Sequence, residues 1–306
     1  MAENSPAPTL PVPPVGVVGL GQLGGSLAAA LAAAGRPVSG WDVDPAAREA
    51  AAARGVTITR EFTGVVVLAV PLPVMATALD GLTVDPAATV TDLGSVKAPV
   101  LRELTPALGT RFVGGHPMCG TERSGHAAVD PELFRGARWA VCLEPDTDLT
   151  RWLRVAEVAL EVGAEVVPAT AAEHDAAVAA VSHVPHLLAA ALARAAADAG
   201  PLALSLGAGS FRDGTRVIGS DPRFVTAMVE ANAGPVVDAL ARVRAQLDHP
   251  WPELVASGHA VVTRQSGRRT VRVPLERAAL LALGRAGGAV TRRLAAFVEG
   301  WMPESG

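Results

Sequence analysis

The chain has 306 residues, a formal net charge of −4, and 18% charged against 50% hydrophobic residues. This length is enough for two domains with separate cores. No basic excess is available to neutralise a phosphate backbone, so we expect no nucleic-acid partner. Residues 65–79 are the most apolar run, but Pro71 and Pro73 interrupt it before the roughly 18 residues that a membrane span needs. We therefore also expect no membrane partner.

The two cysteines, Cys119 and Cys142, form neither a disulfide framework nor a metal-ligand spacing, and no signal-peptide pattern precedes them. These features predict a cytoplasmic protein without a bound metal. Residues 1–14 contain five prolines among small and polar residues, which is typical of a disordered leader.

A dinucleotide-binding pattern begins at residue 15. A β-rich run leads into Gly19, Gly21 and Gly24, an alanine-rich helix follows, and a second strand ends at Asp42. Such glycines permit a tight turn close to a pyrophosphate, and the acid can accept hydrogen bonds from ribose hydroxyls. Asp42 and its acidic neighbour would repel a 2'-phosphate, which favours NAD over NADP, and Arg48 is the nearest following cation that could reverse this preference.

Strand and helix patterns continue to alternate after this unit. Residues 65–70 and 88–92 are strand-like and lead into Pro71 and Ser95. Ligands of parallel sheets lie at the carboxyl ends of the strands, so these residues are expected to face one crevice, although Ser95 would also serve as a helix N-cap. The predicted cofactor-binding residues are Gly19, Leu20, Gly21, Gln22, Leu23, Gly24, Asp42, Val70, Pro71 and Ser95.

A single histidine, His116, lies in the glycine-rich segment 114–125 after another short strand. An imidazole is largely uncharged near neutral pH and can accept a proton, so His116 is the candidate catalytic base. The alternative is that it only caps a turn or fills a gap in the core.

The pattern of predicted secondary structure changes near residue 168. Before it, residues 139–143 and 166–167 are predicted to complete the same sheet; after it, helices are predicted at 171–197 and beyond. The tail is expected to hold a strand at 270–273 and a helix at 275–298, as a short extension without a regulatory ACT domain. The predicted fold class is α/β, with a leader (1–14), a Rossmann-type dinucleotide-binding domain (15–168) and an all-helical domain with a C-terminal extension (169–306).

Two polar groups occur in the helical half. His183 and His186 lie one helical turn apart, and His174 precedes them. These side chains are expected either to contact a bound small molecule or to form hydrogen bonds between helices. Asp213 and Arg216 follow a glycine-rich stretch, where the arginine can hold a carboxylate or form an ordinary surface pair.

Taken together, these segments resemble the monofunctional bacterial prephenate dehydrogenases from about residue 15 to at least residue 232. Six segments in one order carry the resemblance, and they are residues 19–26, 92–97, 114–121, 173–175, 182–186 and 211–216.

The resemblance implies a homodimeric, NAD-dependent oxidoreductase of tyrosine biosynthesis. It implies that prephenate is oxidatively decarboxylated to 4-hydroxyphenylpyruvate in an active site between the NAD domain and a helical dimerisation domain. His116 would be the base and Ser95 would share its contact with the substrate hydroxyl. The implied substrate-binding residues are Arg216, His186, His183, Asp213 and Gly209.

Other functions stay open. Arogenate dehydrogenase is the close alternative, because its substrate differs only in an amino group. A non-catalytic NAD-sensing module is the alternative from another class. A 3-hydroxyacid dehydrogenase is disfavoured, because such enzymes generally use a lysine in the helical half and residues 169–306 contain none.

Overall fold

The computed structural model describes residues 13–120, 125–264 and 267–304. Twelve of the fourteen residues of the expected leader, and residues 121–124 of the glycine-rich segment 114–125, lie outside this description. The chain forms two compact units, one comprising residues 1–171 together with 266–306, and a second comprising residues 172–265.

Strands and helices alternate throughout the first part of the chain. In order they are β1 (Val15–Val18), α1 (Gln22–Ala33), β2 (Val38–Trp41), α2 (Pro45–Ala52), β3 (Thr57–Ile58), β4 (Glu61–Phe62), β5 (Val65–Leu68), β6 (Thr83–Val84), β7 (Thr89–Asp92), α3 (Ala98–Leu108), β8 (Phe112–Val113), β9 (Gly115–Pro117), β10 (Arg138–Cys142), α4 (Leu149–Glu161) and β11 (Glu165–Ala169).

Helices dominate the next part, and strands return in the tail. The helices are α5 (Ala171–Val178), α6 (Val184–Asp198), α7 (Pro201–Ser205), α8 (Gly209–Thr215), α9 (Pro222–Ala231), α10 (Ala233–Leu247) and α11 (Trp251–Thr263). The tail contains β12 (Arg268–Pro274), α12 (Arg277–Arg285), β13 (Ala289–Arg293) and β14 (Phe297–Pro303).

A six-stranded parallel sheet organises the first unit, in the order β3-β2-β1-β5-β7-β8. Every residue of β1 and β5 is buried, as expected for strands covered on both faces. Numbered within this sheet alone, the order is 3-2-1-4-5-6, the Rossmann arrangement, so the predicted α/β class is confirmed. The order reverses between β1 and β5, which is where such sheets bind ligands.

A second, mixed sheet differs from the sequence prediction. Its order is β12-β14-β13-β11-β10-β9, so the segments expected to complete the first sheet, β10 and β11, belong to another. The expected helix at 275–298 is also wrong, because only α12 is helical and two strands follow. Gly287 has φ +76 and, with Gly288, ends the helix in a turn that a side chain would strain.

The tail is part of the first unit, whereas the sequence had assigned residues 169–306 to one helical domain. Leu280, Leu283 and Val290 are at most 2% exposed and share a core cluster with Leu27 of α1 and Trp152 of α4. Burial of these apolar side chains, which the sequence pattern did not reveal, holds the tail there.

The second unit is helical, as expected, and its core is small. Buried residues of its core cluster are Ala179, Val184, Val236 and Ala239. Among the described residues, thirteen of the seventeen exposed large apolar side chains lie in this unit. The continuous helical segment Ala171–Asp198 is long and apolar enough to cross a membrane by length and composition alone, yet it contains the buried polar residues His174, Asp175 and His183.

Candidate active site

The glycine turn between β1 and α1 has a separate reason for each of its three glycines. Gly19 has φ +93, and a Cβ there would lie 2.4 Å from the carbonyl oxygen of Ala69. A Cβ on Gly24 would lie 1.9 Å from the oxygen of Gly19, so only glycine lets the helix approach the strand. A Cβ on Gly21 would meet no described atom within 4 Å. The turn is therefore packed on two sides and open at Gly21, where a phosphate can approach.

The carboxylate of Asp42 is tied to this turn. Its Oδ2 accepts a hydrogen bond from the backbone N–H of Leu20 at 2.6 Å, and its Oδ1 accepts one from the N–H of Asp44 at 2.8 Å. Leu20 itself is 1% exposed, so its side chain packs in the core. Its backbone N–H is engaged by Asp42. Val70 lies beside Gly19 at the end of β5, which brings the predicted residues of these two strands together.

A pocket beside Asp42 was not foreseen from the sequence. The guanidinium groups of Arg48 and Arg60 both lie over the Trp41 ring system, at 4.6 Å and 4.3 Å from a ring centroid. The pocket has a volume of about 370 Å³ and is also lined by Asp80. The half-buried Arg48 donates to the carbonyl oxygen of Asp42 at 2.7 Å, so its guanidinium is held by the backbone at the end of β2.

A buried ion pair fixes the backbone next to His116. Asp92 and Lys97 are fully buried and joined by a salt bridge. Lys97 Nζ donates to the carbonyl oxygen of Gly115 at 2.7 Å, and the N–H of Gly115 donates to Asp92 Oδ1 at 3.1 Å. The backbone N–H and C=O of Gly115, the residue before His116, are thus held by the last residue of β7 and by Lys97, which follows that strand. Residues 92–97 are one of the segments that carry the family resemblance, but the sequence does not reveal their positioning role, which depends on a contact across strands.

Ser95 and His116 lie on the two segments that this ion pair joins. Ser95 is 9% exposed, and among the described residues its Oγ has no hydrogen-bond partner. His116 is half-buried on β9, opposite Ala140 of β10. Ser95 does not cap α3, whose N-cap is Lys97. A buried hydroxyl without a partner is what a ligand-contacting serine would leave.

The two histidines of the helical unit that were predicted to bind substrate, His183 and His186, have different surroundings. His183 is completely buried at the end of a π-helical turn, Ala179–His183, and burial lowers its pKa to about 4. His186 is half-buried, and its Nδ1 lies 2.8 Å from the carbonyl oxygen of Ser182. His174 is buried on α5, where its Nδ1 lies 2.8 Å from Oδ1 of the neighbouring Asp175.

The remaining predicted substrate residues lie on the surface of the helical unit. Gly209 and Asp213 are on α8, and Arg216 begins the 3-10 turn Arg216–Gly219; all three are exposed. Their role stays a prediction. Among the described residues, no group of three His, Cys, Asp or Glu side chains is arranged to hold a metal ion.

A Rossmann sheet with an open glycine turn and an acid at the end of β2 defines a dinucleotide-binding protein. The family models agree: residues 27–168 match the prephenate dehydrogenase nucleotide-binding domain and residues 170–259 match the prephenate dehydrogenase dimerization domain. The chain therefore belongs to the prephenate dehydrogenase family.

Individual relatives are similar over most of the chain. It is 30% identical to the prephenate dehydrogenase of Bacillus subtilis over 72% of this chain, a match that spans 65% of the relative's length. The structure of prephenate dehydrogenase from A. aeolicus with hydroxyphenyl propionate and NAD+ has a TM-score of 0.73 and 30% identity, covering 83% of this chain and 94% of that one. The structure of Synechocystis arogenate dehydrogenase has a TM-score of 0.69 and 30% identity, and the match covers 81% of this chain and 97% of that one.

Proposed function

We propose that this chain is an NAD-dependent prephenate dehydrogenase that oxidatively decarboxylates prephenate to 4-hydroxyphenylpyruvate in tyrosine biosynthesis. The observation that carries the proposal is the buried Asp92–Lys97 pair, which holds the peptide before His116 at the carboxyl end of β7 in the nucleotide-binding sheet. Because a buried ion pair fixes the backbone of this loop, it supports the presence of a preorganised catalytic group there.

The glycine turn fits NAD. The absence of a side chain at Gly21 leaves space for a pyrophosphate. The Asp42 carboxylate can accept hydrogen bonds from ribose hydroxyls and would repel a 2'-phosphate. When bound, the nicotinamide ring would accept the hydride from ring carbon 4 of prephenate. Trp41, Arg48 and Arg60 would surround the adenosine end of the same molecule.

His116 would accept the proton of the ring hydroxyl, with Ser95 sharing that contact. Loss of carbon dioxide then leaves the electron pair of the broken bond in the ring, which becomes aromatic. The proton held by His116 can return to the phenolate oxygen, so the product leaves as a phenol and the base is regenerated. Aromatisation drives the reaction, so these residues need to supply only placement and a base.

The substrate carboxylates would be bound from the helical unit. Arg216, with Asp213 orienting it, offers a guanidinium to a carboxylate, and His183, His186 and the backbone near Gly209 would complete the contacts. A homodimer is supported by the match to a dimerization domain and by the exposed apolar side chains of this unit. A cytoplasmic location is supported by the biosynthetic enzymes in the family.

Formation of NADH from prephenate and from arogenate, each with NAD and NADP, tests the function. Arogenate is the second candidate because an arogenate dehydrogenase structure matches nearly as well. We expect turnover of prephenate with NAD. Turnover of arogenate alone would replace the substrate, and NAD binding without turnover of either compound would support a sensing module instead.

Two variants test the assigned residues. His116→Asn should lower kcat by about 10²- to 10⁴-fold with NAD binding intact, because a general base is lost. Arg216→Ala should chiefly raise KM, by roughly 10- to 150-fold for one charged hydrogen bond. His259→Asn and Arg242→Ala, at exposed positions of the helical unit outside these segments, are the matched controls. Near-normal turnover by His116→Asn would refute its role as the base.

A further inference from the structure

The side chain of His183 is enclosed by the helical unit yet leaves one nitrogen without a partner. Its Nδ1 lies 3.1 Å from Asn232 Nδ2, and among the described residues its Nε2 has no hydrogen-bond partner. His183 is 0% exposed and Asn232 2% exposed. An unsatisfied buried N–H or lone pair is costly, so this nitrogen needs an explanation.

Asn232 decides which ring nitrogen of His183 carries the proton. Its Nδ2 also lies 2.8 Å from the backbone carbonyl oxygen of Asp175, an atom that can only accept. The amide NH₂ must therefore face Asp175, and its second hydrogen points to His183 Nδ1. Nδ1 is thus an acceptor, and a neutral ring must carry its hydrogen on Nε2.

The ring stays neutral at physiological pH. Burial is the main cause of the lowered pKa of His183, and the nearby His174 and His186 lower it further, while Asp175 opposes them. The unpartnered Nε2 is therefore a neutral N–H donor. His186 has the opposite arrangement, because its Nδ1 faces the carbonyl oxygen of Ser182 and must donate, which leaves its Nε2 as the acceptor when the ring is neutral.

We propose that Asn232 is a positioning residue that holds His183 as a neutral Nε2–H donor to an oxygen of the bound dicarboxylate substrate. This inference rests on the proposed function. The Nε2–H can donate only to an atom with a free lone pair, such as a carboxylate or keto oxygen, and the substrate supplies this acceptor for His183. No element of the nucleotide-binding unit is needed to set the tautomer.

Nitrogen-15 NMR of histidine-labelled protein tests the tautomer directly in the wild-type protein, and a variant is needed only to assign the signals. The His183 signals are identified by their loss in His183→Gln. We expect a pyrrole-type Nε2 and a pyridine-type Nδ1 near neutral pH, and the reverse would overturn the proposal. In Asn232→Asp the carboxylate can only accept, so the proton should move to Nδ1 or the ring should become charged. An unchanged spectrum in this variant would also overturn it.

Kinetics then separate positioning from mere packing. Asn232→Ala and His183→Leu should each raise KM for prephenate by about tenfold or more, with the Kd for NAD unchanged. The double variant should be no worse than His183→Leu, because Asn232 acts through His183. Additive effects, or a loss of Tm that accounts for the change, would reduce Asn232 to a structural residue. If wild-type protein does not turn over prephenate, the proposed function fails while the NMR result still stands.

Discussion

Alanine substitutions at Gly21 and Gly24 separate the effect on cofactor binding from the effect on folding, because each adds a single methyl group to the glycine turn. In Gly21→Ala the new methyl meets no described atom within 4 Å, so the stability change should stay within about 1 kcal/mol, the usual cost of alanine at an N-cap. The methyl would, however, occupy the space proposed for the pyrophosphate. We expect the Kd for NAD to rise by about tenfold or more, or roughly 1.4 kcal/mol.

Gly24→Ala should have the opposite profile. Its Cβ would lie 1.9 Å from the oxygen of Gly19 and 2.7 Å from Ala69 Cβ, so α1 must move away from β1. Such overpacking costs typically about 1 to 3 kcal/mol, which corresponds to a Tm loss of roughly 2 to 12 °C in a unit of this size. Calorimetric titration with NAD and thermal unfolding without ligand measure the two effects. Wild-type affinity in Gly21→Ala, or an unchanged Tm in Gly24→Ala, would refute the division of roles between these glycines.

Four further predictions test other parts of the structure. Leu280→Ala removes a side chain that is 0% exposed and should lower the free energy of unfolding, measured with urea, by about 2 to 5 kcal/mol. Phe297→Ala, at a side chain that is 45% exposed, should lower it clearly less. Equal losses in the two variants would contradict the packing of the tail. Lys97→Met leaves a buried carboxylate unpaired and should destabilise the protein by about 3 to 5 kcal/mol in the same assay, and a neutral effect would argue against the ion pair. Burial raises the pKa of Cys119 to about 12, so iodoacetamide should label it far more slowly than a free cysteine at about pH 8, and rapid labelling would show that this thiol is accessible. The pKa of His183 falls from 6.5 to about 4 on folding, so between these pH values the unfolded chain binds a proton at His183 that the folded chain does not. The free energy of unfolding should therefore decline as the pH falls from 6.5 to about 4. His183→Gln should remove that part of the decline, and an identical pH profile in the variant would count against it.

The glycine turn and Asp42 could be predicted because the information is local: a strand, three glycines and an acid follow one another within 28 residues, and their spacing alone specifies the geometry. The second sheet could not be predicted in this way. Its central pairing joins Val166 to Val290, a contact across the whole helical unit, and no local pattern indicates it. The alanine- and leucine-rich stretch after residue 275 favours a helix, so the pattern concealed the turn at Gly287 and the two strands that follow.

The same limit applies to the candidate site. His116 and Ser95 were identified from their motifs, but the role of Asp92 and Lys97 depends on Gly115, which reaches them through strand packing. Asn232 carried no motif at all. It lies 49 residues from His183, and only the folded helices show that its amide determines the protonation of that ring.

Interruption of the first unit by the helical one has a consequence for biosynthesis. A nascent chain that has reached residue 265 has made β9, β10 and β11, but not β13, the strand that pairs along the free side of β11. Until the last 40 or so residues leave the ribosome, that side of β11 keeps unpaired backbone groups, and the apolar surface that Leu280 and Leu283 will cover remains open. Translation stalled at this point should therefore yield chains that chaperones retain, even though their nucleotide-binding turn has already been synthesised.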